Sequence, residues 1–232
     1  MCNRRMGQEK GRALIWIEEE TEAFWNVYRQ AEKLWKTYGQ QHGVACPRGC
    51  DRCCHQFFPM WPGEEAILID GLSGLDPAII REILPVAKAH TDTQAHIWRE
   101  LELPEKISVL PDEEQEDAAS HYIVLLGEVD TPCVLLKDGF CRVYENRPLL
   151  CRLYGYPTAS NPSNLCDILM ESYLSQKKAM PVVVAKVFDP IAGAPLVISM
   201  RFHERTYYDF RTVAQVIVDF AEEQNIITSD IP

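Results

Sequence analysis

The sequence predicts a mostly helical α+β fold in a single domain that includes a small β-hairpin. Two observations lead to this prediction. Apolar residues recur at the three- and four-residue spacing of helices over several stretches, and one Asp-Gly pair separates two short strand-like runs. With 232 residues, 47% of them hydrophobic, the chain can build a sizeable core without help from disulfides.

Residues 12–41 form the first predicted helix. Gly39 and Gly43 indicate where it ends. Its apolar residues recur at intervals of three and four, which places them on one face, and we interpret them as core residues. They are Phe24, Val27, Tyr28, Ala31, Leu34, Trp35 and Tyr38.

Three further helices are predicted in the middle of the chain. The first covers residues 63–72, with acidic residues in its first turn. Asp76 is a predicted N-cap, and a helix follows it to about residue 103, broken or kinked near Pro85. The third is expected near residues 112–127.

The Asp138-Gly139 pair predicts a hairpin turn between the runs 133–136 and 140–144. This hairpin would carry Cys133 and Cys141.

For the C-terminal part of the chain, the sequence leaves some of the secondary structure open. Helices are expected to begin near Arg147 and Ser163, strands to cover 181–188 and 196–200, and a terminal helix to cover 205–223. The two strands stay open, because short apolar runs also occur in buried helices.

The charge of the chain bears on its partners and its compartment. Its formal net charge of −11 argues against nucleic acid as a general partner. No apolar run approaches the roughly 20 residues of a membrane span, and charged residues interrupt the N-terminal stretch where a signal peptide would be apolar. We therefore expect a cytoplasmic protein without a membrane partner, in which disulfides are a poor explanation for nine cysteines.

Four cysteines lie within nine residues, at Cys46, Cys50, Cys53 and Cys54. On a continuous helix they would share one stripe, but Cys46 and Cys54 would be about 12 Å apart along the axis. One tetrahedral ion with metal–sulfur bonds of about 2.3 Å cannot span that distance. Either the chain loops at Pro47 and Gly49, or the thiols share several metal atoms, or distant thiols complete the coordination.

Four more cysteines follow at irregular intervals, at Cys133, Cys141, Cys151 and Cys166. They lack the short knuckles of a zinc ribbon, and we expect folding to bring them onto the first cluster. Cys2 lies near the terminus and is left out. Buried free thiols are the plain alternative, but a segment with Arg and Asp between its cysteines does not resemble core. Metal ligation by eight cysteines is therefore the prediction.

All-sulfur ligation favours iron, iron–sulfur clusters or zinc over magnesium, calcium or manganese. The adjacent pair Cys53-Cys54 fits a polynuclear centre better than one ion, so iron is favoured over zinc. Several thiolates carry a large negative charge, which nearby cations would neutralise. Arg142, Arg147 and Arg152 are the predicted neutralising residues beside the bound cofactor.

Two motifs resemble the YkgJ-like CxxCxxCC family, a zinc- or iron-chelating domain. The first is Cys46-x3-Cys50-x2-Cys53-Cys54, with one more residue in the first gap than the family pattern has. The second runs from Cys141-Arg142-Val143-Tyr144-Glu145 through Arg147-Pro148 to Cys151-Arg152. The resemblance implies metal binding over about residues 44–166. It leaves residues 1–43 as an N-terminal amphipathic helix, and 167–232 as a C-terminal segment on the same domain.

Three functions stay open at this point. The first is a metal-binding protein, whose partner is the metal ion or cluster. The second is an iron–sulfur enzyme, either redox or methylase-like, because flagellin lysine methylases resemble this cysteine set; Tyr144, Glu145 and Arg147 would then be the polar candidates. The third is a thiol–disulfide redox protein. The sequence contains no P-loop, Rossmann glycine pattern or GxSxG motif, and no catalytic residue is assigned.

Overall fold

The computed structural model of this chain describes residues 18–34, 36–37, 49–61, 63–129, 131–154, 171 and 211–226. The helices are α1 (18–34), α2 (Glu64–Ser73), α3 (Pro77–Glu100), α4 (Asp112–Glu128), α5 (Leu149–Leu153) and α6 (Val213–Glu223). Strands β1 (Leu136–Lys137) and β2 (Phe140–Cys141) form one antiparallel hairpin, and short 3-10 turns cover Arg52–His55, Ile107–Val109 and Tyr144–Asn146. The prediction of a mostly helical fold with a small hairpin is confirmed.

Helix α3 begins where the sequence predicts. The Asp76 side chain accepts a hydrogen bond from the Ala78 N–H at 2.7 Å, and proline occupies the first helical position. The helix then continues through Pro85, so the expected break there is wrong. Burial of Ile83, Leu84 and Ala87 on both sides of the proline offsets the one hydrogen bond that the ring removes.

The main core lies between α2, α3 and α6, and the residues around the hairpin close it. Its central members are Leu68, Leu72, Ile80, Ile83, Leu84, Ala87, Val134, Leu135, Val143, Val216, Ile217 and Phe220. An antiparallel bridge between Met60 and Arg211 joins the segment after the first cysteines to the start of α6. This arrangement fixes the first cysteine segment and the N-terminus of α6 against the same core.

A smaller apolar cluster joins α3 to α4. Ile97, Tyr122 and Leu126 are its buried members, and the rings of Trp98 and Tyr122 meet edge to face at 4.7 Å. The helix predicted at 112–127 is confirmed by α4, which thereby forms one more wall around the site described below.

Helix α1 buries the face that the periodicity predicts. Phe24, Val27, Tyr28 and Ala31 are buried. Several other predictions lie outside the described residues: the packing of Trp35 and Tyr38, the helix from Ser163, the strands at 181–188 and 196–200, and the first part of the terminal helix.

The hairpin has the register Leu136 opposite Cys141 and Lys137 opposite Phe140. Asp138 and Gly139 both have positive φ, 52° and 79°, which is the backbone of the tight turn that Asp-Gly favours. The predicted hairpin is therefore confirmed, with shorter strands than expected. Cys141 lies on β2, whereas Cys133 lies three residues before β1. Among the described helices, none has the length and apolar character of a membrane span.

Candidate metal site

The first cysteine segment is not one continuous helix. Gly49 has φ 80°, a left-handed value outside the range of a helix, and a 3-10 turn over Arg52–His55 follows it. The Cys54 N–H donates to the Asp51 carbonyl at 2.7 Å to close that turn. Of the alternatives that the sequence left open, a loop at Gly49 is the one the described part adopts; Cys46 and Pro47 lie outside it.

The hairpin brings the second cysteine segment onto the first. The Cys133 N–H donates to the Cys54 carbonyl at 2.6 Å, which joins the two segments directly. The turn of the hairpin packs on the first loop so closely that a Cβ on Gly139 would lie 2.9 Å from the Gly49 carbonyl oxygen. Cys151 is held separately on α5.

All six described cysteines of the predicted ligand set line one cavity of about 590 Å³. They are Cys50, Cys53, Cys54, Cys133, Cys141 and Cys151, all half-buried free thiols. Within the described ranges, no three Cys, His, Asp or Glu side chains lie close enough together to hold one metal ion. Cys166, like Cys46, lies outside those ranges.

The thiols differ in how readily they ionise. A hydrogen bond from the Cys54 thiol, together with the nearby Arg147 guanidinium, lowers the pKa of Cys53 to about 6. The same hydrogen bond raises the pKa of Cys54. Burial raises the pKa of Cys133 to about 12 and also raises the pKa values of Cys141 and Cys151. A metal that binds here would displace protons from most of these thiols.

Arg147 is one of the described cations that line the cavity near the thiols. Its charge lowers the pKa values of Cys53 and Cys141, and its guanidinium carbon lies 3.8 Å from the centre of the Tyr144 ring. Its Nε is buried without a hydrogen-bond partner. An unpartnered guanidinium donor beside a set of thiols fits a negatively charged metal–thiolate centre, as does an all-sulfur donor set.

The other two predicted arginines are placed differently. Arg152 lines the cavity, but its guanidinium donates to the Arg147 and Glu145 carbonyls and lies 3.4 Å from a Glu32 carboxylate oxygen. Arg142 pairs with Glu82 of α3 at 2.7 Å and is not among the described lining residues.

A buried carboxylate that the sequence did not single out positions α5. Glu64 was predicted only as an acidic residue in a first helical turn, yet it is 1% exposed. It accepts hydrogen bonds from the Tyr28 hydroxyl at 2.6 Å, the Leu149 N–H at 2.6 Å and the Trp61 N–H at 2.9 Å. Burial raises the pKa of Glu64. These bonds tie α1 and α2 to the start of α5, which carries Cys151, and no local sequence pattern indicates them.

His90 and Gln94 of α3 and Thr212 before α6 also line the cavity, and the sequence analysis missed all three. A His and a Gln four residues apart are common on helix surfaces, so nothing in the sequence indicated that these residues line a cavity.

A comparison with known protein families matches residues 45–167, which is more than half of the chain, to one family. No curated protein and no solved structure matches the chain. The matched region contains both cysteine segments, from the loop at Gly49 to α5, and its description agrees with a cavity lined by thiols. The chain therefore belongs to the CxxCxxCC family, described as a "putative zinc- or iron-chelating domain", and metal binding is the property that this membership supports.

Proposed function

We propose that the protein binds iron as an iron–sulfur cluster through eight cysteines. The proposed ligands are Cys46, Cys50, Cys53, Cys54, Cys133, Cys141, Cys151 and Cys166. The observation that supports this most is that six of them, from two segments far apart in the sequence, line one cavity. Zinc is the second candidate, because all-thiolate sites suit both metals.

The placement of the thiols favours a cluster over a single zinc ion. A structural zinc site gathers four ligands at about 2.3 Å from one point. Here six thiols are spread around a cavity of about 590 Å³, and the adjacent Cys53 and Cys54 both line it. A polynuclear centre offers several metal atoms to such a set.

We propose Arg142, Arg147 and Arg152 as the residues that neutralise the thiolates. The Nε atoms of Arg147 and Arg142 are both buried without a hydrogen-bond partner, and of the two only Arg147 is among the described lining residues of the cavity. Arg152 lines the same cavity, whereas Arg142 would act at longer range from its pair with Glu82.

We also propose that residues 44–166 form the cysteine-rich region between an N-terminal helix (1–43) and a C-terminal segment (167–232) on the same domain.

The cytoplasm is the proposed compartment.

An enzymatic role is a second candidate function, and the size of the cavity favours it. A metal ion bonded to sulfur at about 2.3 Å fills only a small part of 590 Å³. The remaining space lies beside the thiols, where a small molecule could meet a cluster. A thiol–disulfide redox protein is the third candidate, supported by the low pKa of about 6 at Cys53 beside Cys54.

Anaerobic purification followed by elemental analysis and optical spectroscopy tests the proposal. We expect iron and inorganic sulfide in fixed ratio to protein, with visible absorbance from sulfur-to-iron charge transfer. Zinc alone would overturn the iron assignment in favour of the second metal. A fully folded protein that takes up neither metal would contradict metal binding and leave the thiol–disulfide function.

Single cysteine variants test the ligand set. Cys53→Ser and Cys133→Ser, one from each segment, are expected to lose most of the bound metal. Cys2→Ser is the matched control, because Cys2 lies outside the proposed set, and it should keep the full metal content. Equal metal content in all three variants would exclude a centre that both segments share.

A further inference from the structure

The lining of the cavity also contains polar residues outside the two cysteine segments, and we call them its polar end. His90 and Gln94, one helical turn apart on α3, line it together with Thr212 and the first residues of α6. None of these residues belongs to the proposed metal ligands.

Gln94 presents its amide nitrogen as a free donor. The residue is 7% exposed. The Thr212 hydroxyl oxygen accepts the Gln215 N–H at 3.1 Å, and the hydroxyl donates to Gln94 Oε1 at 2.9 Å. This capping interaction fixes the orientation of the amide, because the buried hydroxyl proton needs an acceptor. The Gln94 Nε2 forms no hydrogen bond with a described residue and lies on a side chain that lines the cavity.

The N-terminus of α6 opens onto the same space. Val213 and Ala214 line the cavity, and within the described ranges their N–H groups form no hydrogen bond. The Thr212 hydroxyl accepts a hydrogen bond from the Gln215 N–H, and the Thr212 carbonyl accepts one from the Val216 N–H at 3.2 Å. The two N–H groups that stay free are therefore those of the first two helical positions. The positive end of the helix dipole favours an anion there.

No aspartate or glutamate is among the described lining residues, so no carboxylate of the described lining would repel a bound anion. Burial lowers the pKa of His90, which leaves a neutral imidazole with one N–H donor at neutral pH.

We propose that this end of the cavity binds a small organic carboxylate beside the metal centre. Its two oxygens accept hydrogen bonds from the Gln94 amide and from the free N–H groups of Val213 and Ala214. Its carbon skeleton packs on the apolar wall that Leu126 and Val129 contribute. A volume of about 590 Å³ falls within the range of small-molecule sites. The site is independent of which metal the thiols hold.

Binding of para-fluorobenzoate to the metal-loaded protein, followed by fluorine NMR, tests the proposal. We expect saturable binding of the carboxylate and none of para-fluorobenzyl alcohol, which has the same ring without the charge. Gln94→Glu keeps the acceptor for Thr212 but replaces the free donor with a negative charge, so we expect affinity to fall at least about tenfold. Gln30→Glu adds the same charge at an exposed position of α1 that is not among the described lining residues, and it should change affinity by less than about twofold.

A second measurement does not depend on any variant. The carboxylate should shift the amide resonances of Val213 and Ala214 in the unmodified protein. Equal binding of the alcohol, equal affinity of Gln94→Glu, or unshifted amides at saturation would each overturn the proposal. Metal content measured on the same samples keeps the two proposals apart: metal-loaded protein that fails to bind the probe contradicts only the carboxylate site, and metal-free protein that binds it contradicts only the metal centre.

Discussion

Single residues decide how the thiols ionise, and Cys53 differs here from its neighbours. It accepts a hydrogen bond from the Cys54 thiol and lies near Arg147, and both lower the pKa of Cys53. Cys133, Cys141 and Cys151 are held as neutral thiols because burial disfavours their charged forms. Cys53 is therefore more readily available as a thiolate to an incoming metal than Cys133, Cys141 or Cys151.

Metal affinity is expected to rise with pH through the neutral range. Cys53, with its pKa of about 6, is already ionised there, but Cys133, at about 12, must still lose its proton on binding. Each displaced proton makes binding more favourable as pH rises. Competition titrations with a chromophoric chelator between about pH 6.5 and pH 8.5 measure the slope. A pH-independent affinity, corrected for the chelator, would contradict the neutral state of these thiols.

Arg147→Gln is expected to weaken metal binding about 10- to 100-fold, the range typical of residues that support metal ligands. The variant removes the charge that stabilises the thiolates of Cys53 and Cys141. Lys137→Gln is the control, since Lys137 lies on the hairpin but pairs with Glu82 at 3.3 Å. The same titration measures both. Equal effects of the two variants would mean that Arg147 acts only through the general charge of the region.

Tyr28→Phe is expected to lower the free energy of unfolding by about 1–3 kcal/mol, because it removes a buried hydrogen bond to the Glu64 carboxylate. Tyr144→Phe is the matched control, since Tyr144 is 51% exposed and should change stability by less than about 0.5 kcal/mol. Urea unfolding of both variants measures the difference. Equal stabilities would show that Glu64 does not depend on the tyrosine.

At the level of elements, the hairpin is the part that brings the two cysteine segments together. Its turn contacts the loop at Gly49, and the N–H of Cys133, three residues before its first strand, donates to the Cys54 carbonyl. Two glycines with positive φ meet at that contact. Neither position tolerates a side chain without strain, because L residues rarely adopt this backbone.

Gly139→Ala is expected to destabilise the protein by about 1 kcal/mol or more and to weaken metal binding. The new Cβ would combine a φ of 79° with a contact 2.9 Å from the Gly49 carbonyl oxygen. Gly127→Ala in α4 is the control, because nothing lies within 4 Å of its added Cβ and alanine favours a helix. Thermal unfolding and metal content measure both. A Gly139 variant as stable as the Gly127 variant would contradict the close approach of the two loops.

The elements themselves could largely be predicted from the sequence. The helix N-cap at Asp76 and the hairpin turn at Asp138-Gly139 both depend on local backbone chemistry. The structure has both features where the sequence predicts them. The continuity of α3 through Pro85 could not be predicted, because it depends on packing against α6. Tertiary burial on both sides of the proline outweighed a local preference.

For the whole molecule, the proposed centre shared by the two cysteine segments would couple metal binding to folding. A centre that joins the region of Cys53 to that of Cys133 closes a long loop, and this stabilises the folded chain relative to the unfolded one. We expect removal of the metal with a chelator to lower the melting temperature. Metal at about 100 times its Kd contributes about 2.7 kcal/mol of stability by mass action. Calorimetry of the loaded and stripped protein measures this, with Cys53→Ser as the control that should not respond.

The sequence by itself determined the metal-binding chemistry and its family. Eight cysteines, six of them within the two motifs, predict soft-metal ligation from residue types and spacing alone, since these are local properties of the chain. The helices and the hairpin follow from periodicity, caps and turn residues for the same reason.

Only the tertiary structure decided what surrounds the thiols. The loop at Gly49, the buried Glu64 and the polar wall of His90 and Gln94 depend on contacts between residues far apart in the chain. Local spacing does not encode such contacts, because they arise from how whole elements pack. The cysteines were thus evident from the sequence, whereas the cavity that they share with these polar residues was not.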